Sequence, residues 1–170
     1  VIIILHRAET LSTIPIKRGV QTELCLPVRT PRSCSLSDRK EKNMSKTVVS
    51  SDNAPAAIGP YAQAIAANGI VFTSGQLPID PTTGAFPEGI AAQTKQSLTN
   101  VKAILAEAGT GMDQVIKTTV FLSDMNNFGA MNEVYATFFG EGSYPARSAV
   151  EVARLPKDAL VEIEVTALLP

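Results

Sequence analysis

The chain has 170 residues, of which 45% are hydrophobic, so it can form one packed domain with an appendage. Its net charge of −1 is divided unevenly: residues 1–43 hold 8 Lys and Arg against 4 Asp and Glu, and residues 44–170 hold 7 against 12. An acidic body does not offer the electrostatic footprint of a nucleic-acid-binding or membrane-surface domain, and no apolar run is long enough to span a bilayer.

Residues 1–43 have no sustained hydrophobic period after an initial Val-Ile-Ile-Ile-Leu run. Met44 then opens a segment with the pattern of a complete domain, so we predict a non-domain extension over 1–43 and a domain over 44–170. The extension is a targeting leader, translated upstream sequence or an artefact. Its basic, Ser- and Thr-containing composition favours a transit peptide, whereas its four acidic residues count against one. We expect a cytoplasmic protein, or a mitochondrial or plastid protein if the extension is a genuine leader.

The first part of the domain is predicted to be β-structure. Residues 47–51 suit a short strand, and 61–67 and 70–76 form a hairpin around Asn68-Gly69, the residue pair preferred in type I′ turns. A loop rich in Pro and Gly follows.

Two helices and an intervening strand are predicted next. The helix over 90–108 has apolar residues on one face at 3.6-residue spacing and ends at Gly109; these residues are Ile90, Leu98, Val101, Ile104 and Leu105. Residues 114–123 form a strand. The second helix covers 128–139, with Asn126 or Asn127 as its N-cap and Gly140 after its end.

The last 27 residues are predicted to form two strands joined by a Leu-Pro-Lys-Asp turn, with Arg147 at the start of the first and Glu162 inside the second. Glu162 and Glu164 alternate with apolar residues, so they project to one face. The order β-ββ-α-β-α-β-β predicts an α+β fold with two helices on one face of a mixed sheet. The other face needs a cover, which we expect to come from further copies of the chain.

The residues available for chemistry in 44–170 are few, because the cysteines, Cys25 and Cys34, and the single histidine, His6, all precede it. General acid–base catalysis would therefore use Asp, Glu, Lys, Tyr or water, and we predict neither a metal nor an organic cofactor. Arg147 is either a bidentate clamp for a small carboxylate or the partner of a strand carboxylate such as Glu151.

Three weaker signals precede the closing strands. Tyr61 follows Gly-Pro in a rigid turn, where its ring either packs in the core or presents its hydroxyl to a ligand. Ser74-Gly75 ends a strand with small groups that permit close approach of a ligand or another chain. Asn132 lies in the middle of a helix, where an asparagine usually either faces solvent or is a packing compromise.

Together these segments resemble the RidA (Rid/YjgF) family. The resemblance covers residues 44–170 and lies in 54–61, 74–76, 96–104, 115–122, 144–148 and 161–165, with Tyr-Pro-Ala-Arg-Ser and Val-Glu-Ile-Glu-Val in the last two as its most specific motifs. It implies a chorismate mutase-like α+β fold and a homotrimeric, barrel-like assembly with active sites between subunits. It also implies hydrolysis of 2-imino and enamine acids, 2-iminobutanoate and 2-iminopropanoate, to 2-oxo acids and ammonia, which prevents damage to PLP enzymes.

The resemblance also implies roles for individual residues. Arg147 binds the substrate carboxylate and Glu162 helps to hold and activate water. Ala149 stands where many members have a cysteine, so its contribution is a backbone carbonyl. The further pocket residues are Tyr61, Ser74, Gly75 and Asn132.

The sequence leaves two other functions open. The same cleft could bind carboxylates or protect other proteins without turnover. Ribonuclease or translation-inhibitor activity has also been attached to the family, but the acidic body and the lack of a His or Lys pair argue against it. The expected partners are therefore a small imino acid and further copies of the chain, with no nucleic acid and no membrane.

Overall fold

A computed structural model describes residues 45–140 and 142–170, and these form one six-stranded mixed sheet with two α-helices packed on one face. The predicted extension over 1–43 lies outside the described residues. The elements are β1 (Thr47–Val49), β2 (Ala64–Ala67), β3 (Ile70–Thr73), α1 (Gly89–Glu107), β4 (Val115–Leu122), α2 (Phe128–Ala136), β5 (Ala146–Glu151) and β6 (Val161–Leu168). This order confirms the predicted β-ββ-α-β-α-β-β pattern and the α+β class.

The two closing strands are not neighbours in the sheet, whose order is β1-β2-β3-β6-β4-β5. The chain crosses from β4 through α2 to β5, and a crossover of this kind makes β5 parallel to β4. After the predicted turn, which is a 3-10 turn at Pro156–Asp158, β6 returns antiparallel on the other side of β4. The strand β4 therefore separates Arg147 from Glu162.

Local turn chemistry fixes several boundaries. Asn68 and Gly69 have φ of 53° and 78°, which confirms the type I′ hairpin, and Gly109 ends α1 with φ of 82°. Asn127, one of the two predicted N-cap residues, occupies the N-cap position of α2, but its side chain makes no capping hydrogen bond. A 3-10 turn at Met125–Asn127 precedes the helix, and Asp124 caps that turn by accepting a 2.9 Å hydrogen bond from the Asn126 amide.

The core lies between the helices and one face of the sheet. The predicted face of α1 is buried, with Leu98 and Ile104 fully enclosed, and alternate residues of β6 such as Val161 and Ile163 face it. Burial of one such side chain contributes ~1.5–3 kcal/mol. No helix within the described residues is long and apolar enough to cross a membrane.

The opposite face of the sheet carries large exposed apolar side chains. Val48 and Phe72 are 61% and 49% exposed, and the strand register aligns them across β1, β2 and β3. Such a face is unusual for an isolated domain and is typical of an interaction surface. Glu162 and Glu164 lie on this open face, as their alternation with buried residues predicted.

Candidate functional site

The predicted site residues fall into two cavities of similar size. The first, about 460 Å³ in volume, is lined by four of them: Tyr61, Ser74, Gly75 and Glu162. The second, about 440 Å³, is lined by Arg147 and Asn132. We call them the Glu162 cavity and the Arg147 cavity. Ala149 lies two residues beyond Arg147 on β5 and lines neither.

The Glu162 cavity is built where the segment after β3 runs beside β6. The amide of Gln76 donates to the carbonyl of Ile163 at 2.8 Å, and the amide of Ile163 donates to the carbonyl of Gln76 at 3.2 Å. This bridge brings Gly75 so close to the Glu162 side chain that a Cβ on Gly75 would collide with the carboxylate. The predicted close approach at Gly75 is therefore confirmed, but the approaching group is the side chain of Glu162 and not a ligand or another chain.

The Glu162 carboxyl is half-buried, and its environment favours the protonated form. Burial is the main cause that raises its pKa, and the charge of Glu164, two residues along the same face, raises it further. A carboxylate whose pKa is raised is a stronger base toward water than an unperturbed one. Glu162 is thus suited to act on a water molecule.

Tyr61 and Ser74 lie at the rim of the Glu162 cavity. The Tyr61 ring is 50% exposed, so the interpretation of this ring as core packing is wrong. The Ser74 hydroxyl donates to the Ala62 carbonyl at 2.7 Å, which orients the serine and leaves its oxygen free to accept a hydrogen bond.

Two buried amides that hold the cavity walls were missed from the sequence. Gln63 accepts from the Ser51 amide at 2.6 Å and donates to the Pro55 carbonyl at 2.8 Å, which anchors the segment leading to Tyr61. Asn100 of α1 donates to the carbonyls of Leu77 and Ile79 at 3.1 and 2.9 Å. The sequence did carry one signal for Asn100: it is a polar residue on the apolar face of α1. A buried amide at such a position needs hydrogen-bond partners.

In the Arg147 cavity the guanidinium group of Arg147 lies over two aromatic rings. The guanidinium carbon lies 4.5 Å from the ring centroid of Tyr135 and 5.5 Å from that of Phe128, both on α2. The alternative partner, Glu151, instead accepts a 2.7 Å hydrogen bond from the Met125 amide, so the interpretation of Arg147 as its ion-pair partner is wrong. Within the described ranges the only ion pair is an exposed one between Arg154 and Asp158.

The two cavities open on opposite faces of the sheet. Arg147 is paired with buried Thr118 of β4 and contacts α2, so it lies on the helix face. Glu162 is paired with Phe121 and lies on the open face. A single chain therefore cannot present Arg147 and Glu162 to the same small molecule.

Comparison with known proteins gives one consistent family. A sequence profile described as Endoribonuclease L-PSP matches residues 51–169. The chain is 54% identical over 127 residues to a 2-iminobutanoate/2-iminopropanoate deaminase of Salmonella typhimurium, covering 74% of this chain and 98% of that protein. It is 55% identical to a RutC family protein of Synechocystis, covering 75% of this chain and 99% of that protein.

Solved structures agree with these sequence matches. The crystal structure of Escherichia coli TdcF with bound serine is 47% identical, has a TM-score of 0.71, and is matched over 73% of this chain and 99% of that chain. The Escherichia coli YjgF gene product is 50% identical with a TM-score of 0.70, over 72% and 98% of the two chains. This chain therefore belongs to the YjgF/RidA family that the profile describes as Endoribonuclease L-PSP.

Proposed function

We propose that this chain hydrolyses 2-imino and enamine acids, 2-iminobutanoate and 2-iminopropanoate, to 2-oxo acids and ammonia. The proposal is supported by relatives of 52–54% identity that carry this name. The observation that carries it is the arginine of the Arg147 cavity, whose guanidinium lies on aromatic faces with no carboxylate partner among the described residues. Removal of such reactive acids would protect PLP enzymes from damage.

The proposed assembly is a homotrimer in which each site forms between two subunits. It is supported by the apolar open face of the sheet and by the division of the site into two cavities that face apart. In this arrangement one subunit supplies Arg147 and Asn132, and its neighbour supplies Tyr61, Ser74, Gly75 and Glu162. The open faces would close into a barrel-like centre.

The proposed reaction begins with a two-point hydrogen bond from Arg147 to the substrate carboxylate, which fixes the C=N carbon. Glu162, with a backbone carbonyl such as that of Ala149, holds a water molecule and accepts its proton as the oxygen attacks the iminium carbon. The tetrahedral carbinolamine then receives that proton on nitrogen. The Glu162 carboxylate, free again, accepts the remaining hydroxyl proton as the C–O bond becomes a carbonyl and the C–N bond to ammonia breaks. No step requires a metal or an organic cofactor.

The experiment couples the full-length protein to a PLP-dependent threonine dehydratase and follows 2-iminobutanoate by semicarbazide trapping. The wild type should accelerate the loss of imine, and Arg147→Ala should reduce this rate by roughly 100-fold or more because it removes the carboxylate-binding group. Arg154→Ala is the matched control, since Arg154 is exposed and paired with Asp158. Imine loss that is no faster with wild type than with buffer, or equal rates for wild type and Arg147→Ala, would contradict the proposal.

Ribonuclease activity is a second candidate only because the family profile carries that description. The acidic composition of residues 44–170 and the lack of histidine there disfavour it. Cleavage of RNA by the wild-type protein that falls steeply with added salt would support it. The proposed compartment is the cytoplasm, or a mitochondrion or plastid if residues 1–43 are a genuine transit peptide.

A further inference from the structure

Arg147 is the second residue of the edge strand β5, and its guanidinium lies over two rings from one helix. Tyr135 and Phe128 are seven residues apart on α2, which places both on the same helical face, toward β5. A long arginine side chain normally retains much rotamer freedom. Here that freedom is restricted before any ligand arrives, which reduces the entropic cost of binding.

The hydroxyl of Tyr135 is hydrogen-bonded to the side chain of the residue that pairs with Arg147. Thr118 is the β4 residue paired with Arg147, and its hydroxyl shares a 2.8 Å hydrogen bond with the hydroxyl of Tyr135. The pairing of β4 with β5, this hydrogen bond and the ring–guanidinium contact thus form a closed set of interactions. Tyr135 is only 3% exposed, and the ring of Phe139 packs against it with centroids 4.7 Å apart.

An aromatic ring and a carboxylate differ, as partners of Arg147, in whether they leave its N–H groups available to a ligand. A carboxylate partner would occupy the N–H groups of Arg147 and neutralise its charge. A ring attracts the cation through its face and does not occupy the guanidinium N–H groups as a carboxylate does, so they stay available to a planar carboxylate that binds through two parallel hydrogen bonds. Burial raises the pKa of Tyr135, so its hydroxyl stays protonated and the ring stays neutral.

We propose that Tyr135 and Phe128 are positioning residues that hold the guanidinium of Arg147 flat and direct its N–H edge toward the carboxylate of the substrate. This inference rests on the proposed role of Arg147 as the carboxylate-binding group. It assigns the hydroxyl of Tyr135 to anchoring the ring on Thr118, and the ring to orienting the cation.

The kinetic test compares four variants of the full chain in the imine assay. Tyr135→Leu removes the nearer ring and should raise KM roughly tenfold. The kcat should change by less than about twofold, because carboxylate binding is weakened equally in the ground state and in the transition state. Phe128→Leu should raise KM less, since its ring centroid is farther away. Tyr135→Phe keeps the ring and should stay within about threefold of wild type. The matched control is Phe139→Leu, which truncates a buried ring that is not stacked on Arg147 and should lower the melting temperature without raising KM.

A spectroscopic measurement reports on the guanidinium directly. Protons above a ring are shifted upfield, so the Nε–H proton of Arg147 should resonate upfield of that of exposed Arg154. Tyr135→Leu should remove most of this displacement, whereas Phe139→Leu should leave it.

The proposal is overturned if Tyr135→Leu raises KM no more than Phe139→Leu, or if the Arg147 Nε–H resonance is not displaced in the wild type. Titration with 2-oxobutanoate separates this result from failure of the deaminase proposal. If the wild type does not hydrolyse imine, the deaminase proposal fails alone. Weaker 2-oxobutanoate binding in Tyr135→Leu than in Phe139→Leu would then support the positioning role, and equal binding would overturn it.

Discussion

The Glu162 cavity and the Arg147 cavity have opposite effects on the charged form of their ionisable side chains. Glu162 is half-buried beside Gly75 and shares its face with Glu164, an environment that disfavours its charge. Arg147 lies on the negative faces of aromatic rings, which favour a cation. A carboxyl with a raised pKa is suited to proton transfer, and a guanidinium held over aromatic rings is suited to binding an anion. The comparison therefore supports the proposal that Glu162 acts in the chemical step and that Arg147 binds the substrate.

Glu162→Gln should separate these two roles with the largest effect. The amide has the size of the carboxyl but cannot accept a proton from water, so kcat should fall by roughly 100-fold or more while 2-oxobutanoate still binds. Steady-state kinetics and a binding titration check both parts. Glu164→Gln, two residues along the same face, is the matched control. Retention of wild-type kcat in Glu162→Gln would remove Glu162 from the mechanism.

The same substitution also has a pH-dependent consequence for stability. Because the folded-state pKa of Glu162 lies above its ordinary value of 4.5, the folded state binds this proton more tightly than the unfolded chain does. The resulting stabilisation is complete below pH 4.5 and is lost as the pH rises through the raised pKa. Glu162→Gln should therefore make the protein more stable than the wild type at neutral pH, with the difference shrinking toward acid pH in denaturant titrations.

Gly75→Ala tests whether close packing sets the position of the Glu162 carboxylate. The added methyl group would collide with that carboxylate, so either the side chain or the bridge between Gln76 and Ile163 must shift. Displacement by about an ångström lowers kcat by roughly 100-fold in well-positioned sites, and overpacking costs about 1–3 kcal/mol.

Gly129→Ala on α2 is the control for this substitution, because a Cβ there meets no atom within 4 Å. It should leave kcat unchanged and stabilise the helix slightly. Wild-type kinetics in Gly75→Ala would show that the carboxylate position is not critical.

The sequence predicted most of the fold because its elements carry local signals. The Asn68-Gly69 turn and the apolar face of α1 needed only neighbouring residues, and both are confirmed. The position of β4 between β5 and β6 had no such signal, because strand order depends on contacts between distant segments. For the same reason the sequence did not show that Arg147 and Glu162 face apart.

The site was less predictable than the fold. Local pattern pointed to the predicted site residues but left structural alternatives open, such as an ion pair for Arg147, and the family resemblance supplied their roles. Gln63 and Tyr135 were missed because a buried amide or hydroxyl is recognised by its partners, and these lie up to 17 residues away. Identifying Gln63 and Tyr135 requires their burial and their hydrogen-bond partners, which are properties of the folded structure.

Glu164→Gln should have the smallest effect on activity, and it tests what raises the pKa of Glu162. The negative charge of Glu164 is the second cause of the raised pKa of Glu162, after burial. Its removal should lower that pKa and move the acidic limb of the kcat/KM profile to lower pH, without changing the plateau. Rate measurements from pH 4.5 to 8 check this shift, and an unmoved limb would mean that burial alone sets the pKa. A shift toward higher pH would instead show that the limb belongs to another group, since loss of a like charge can only favour ionisation of Glu162.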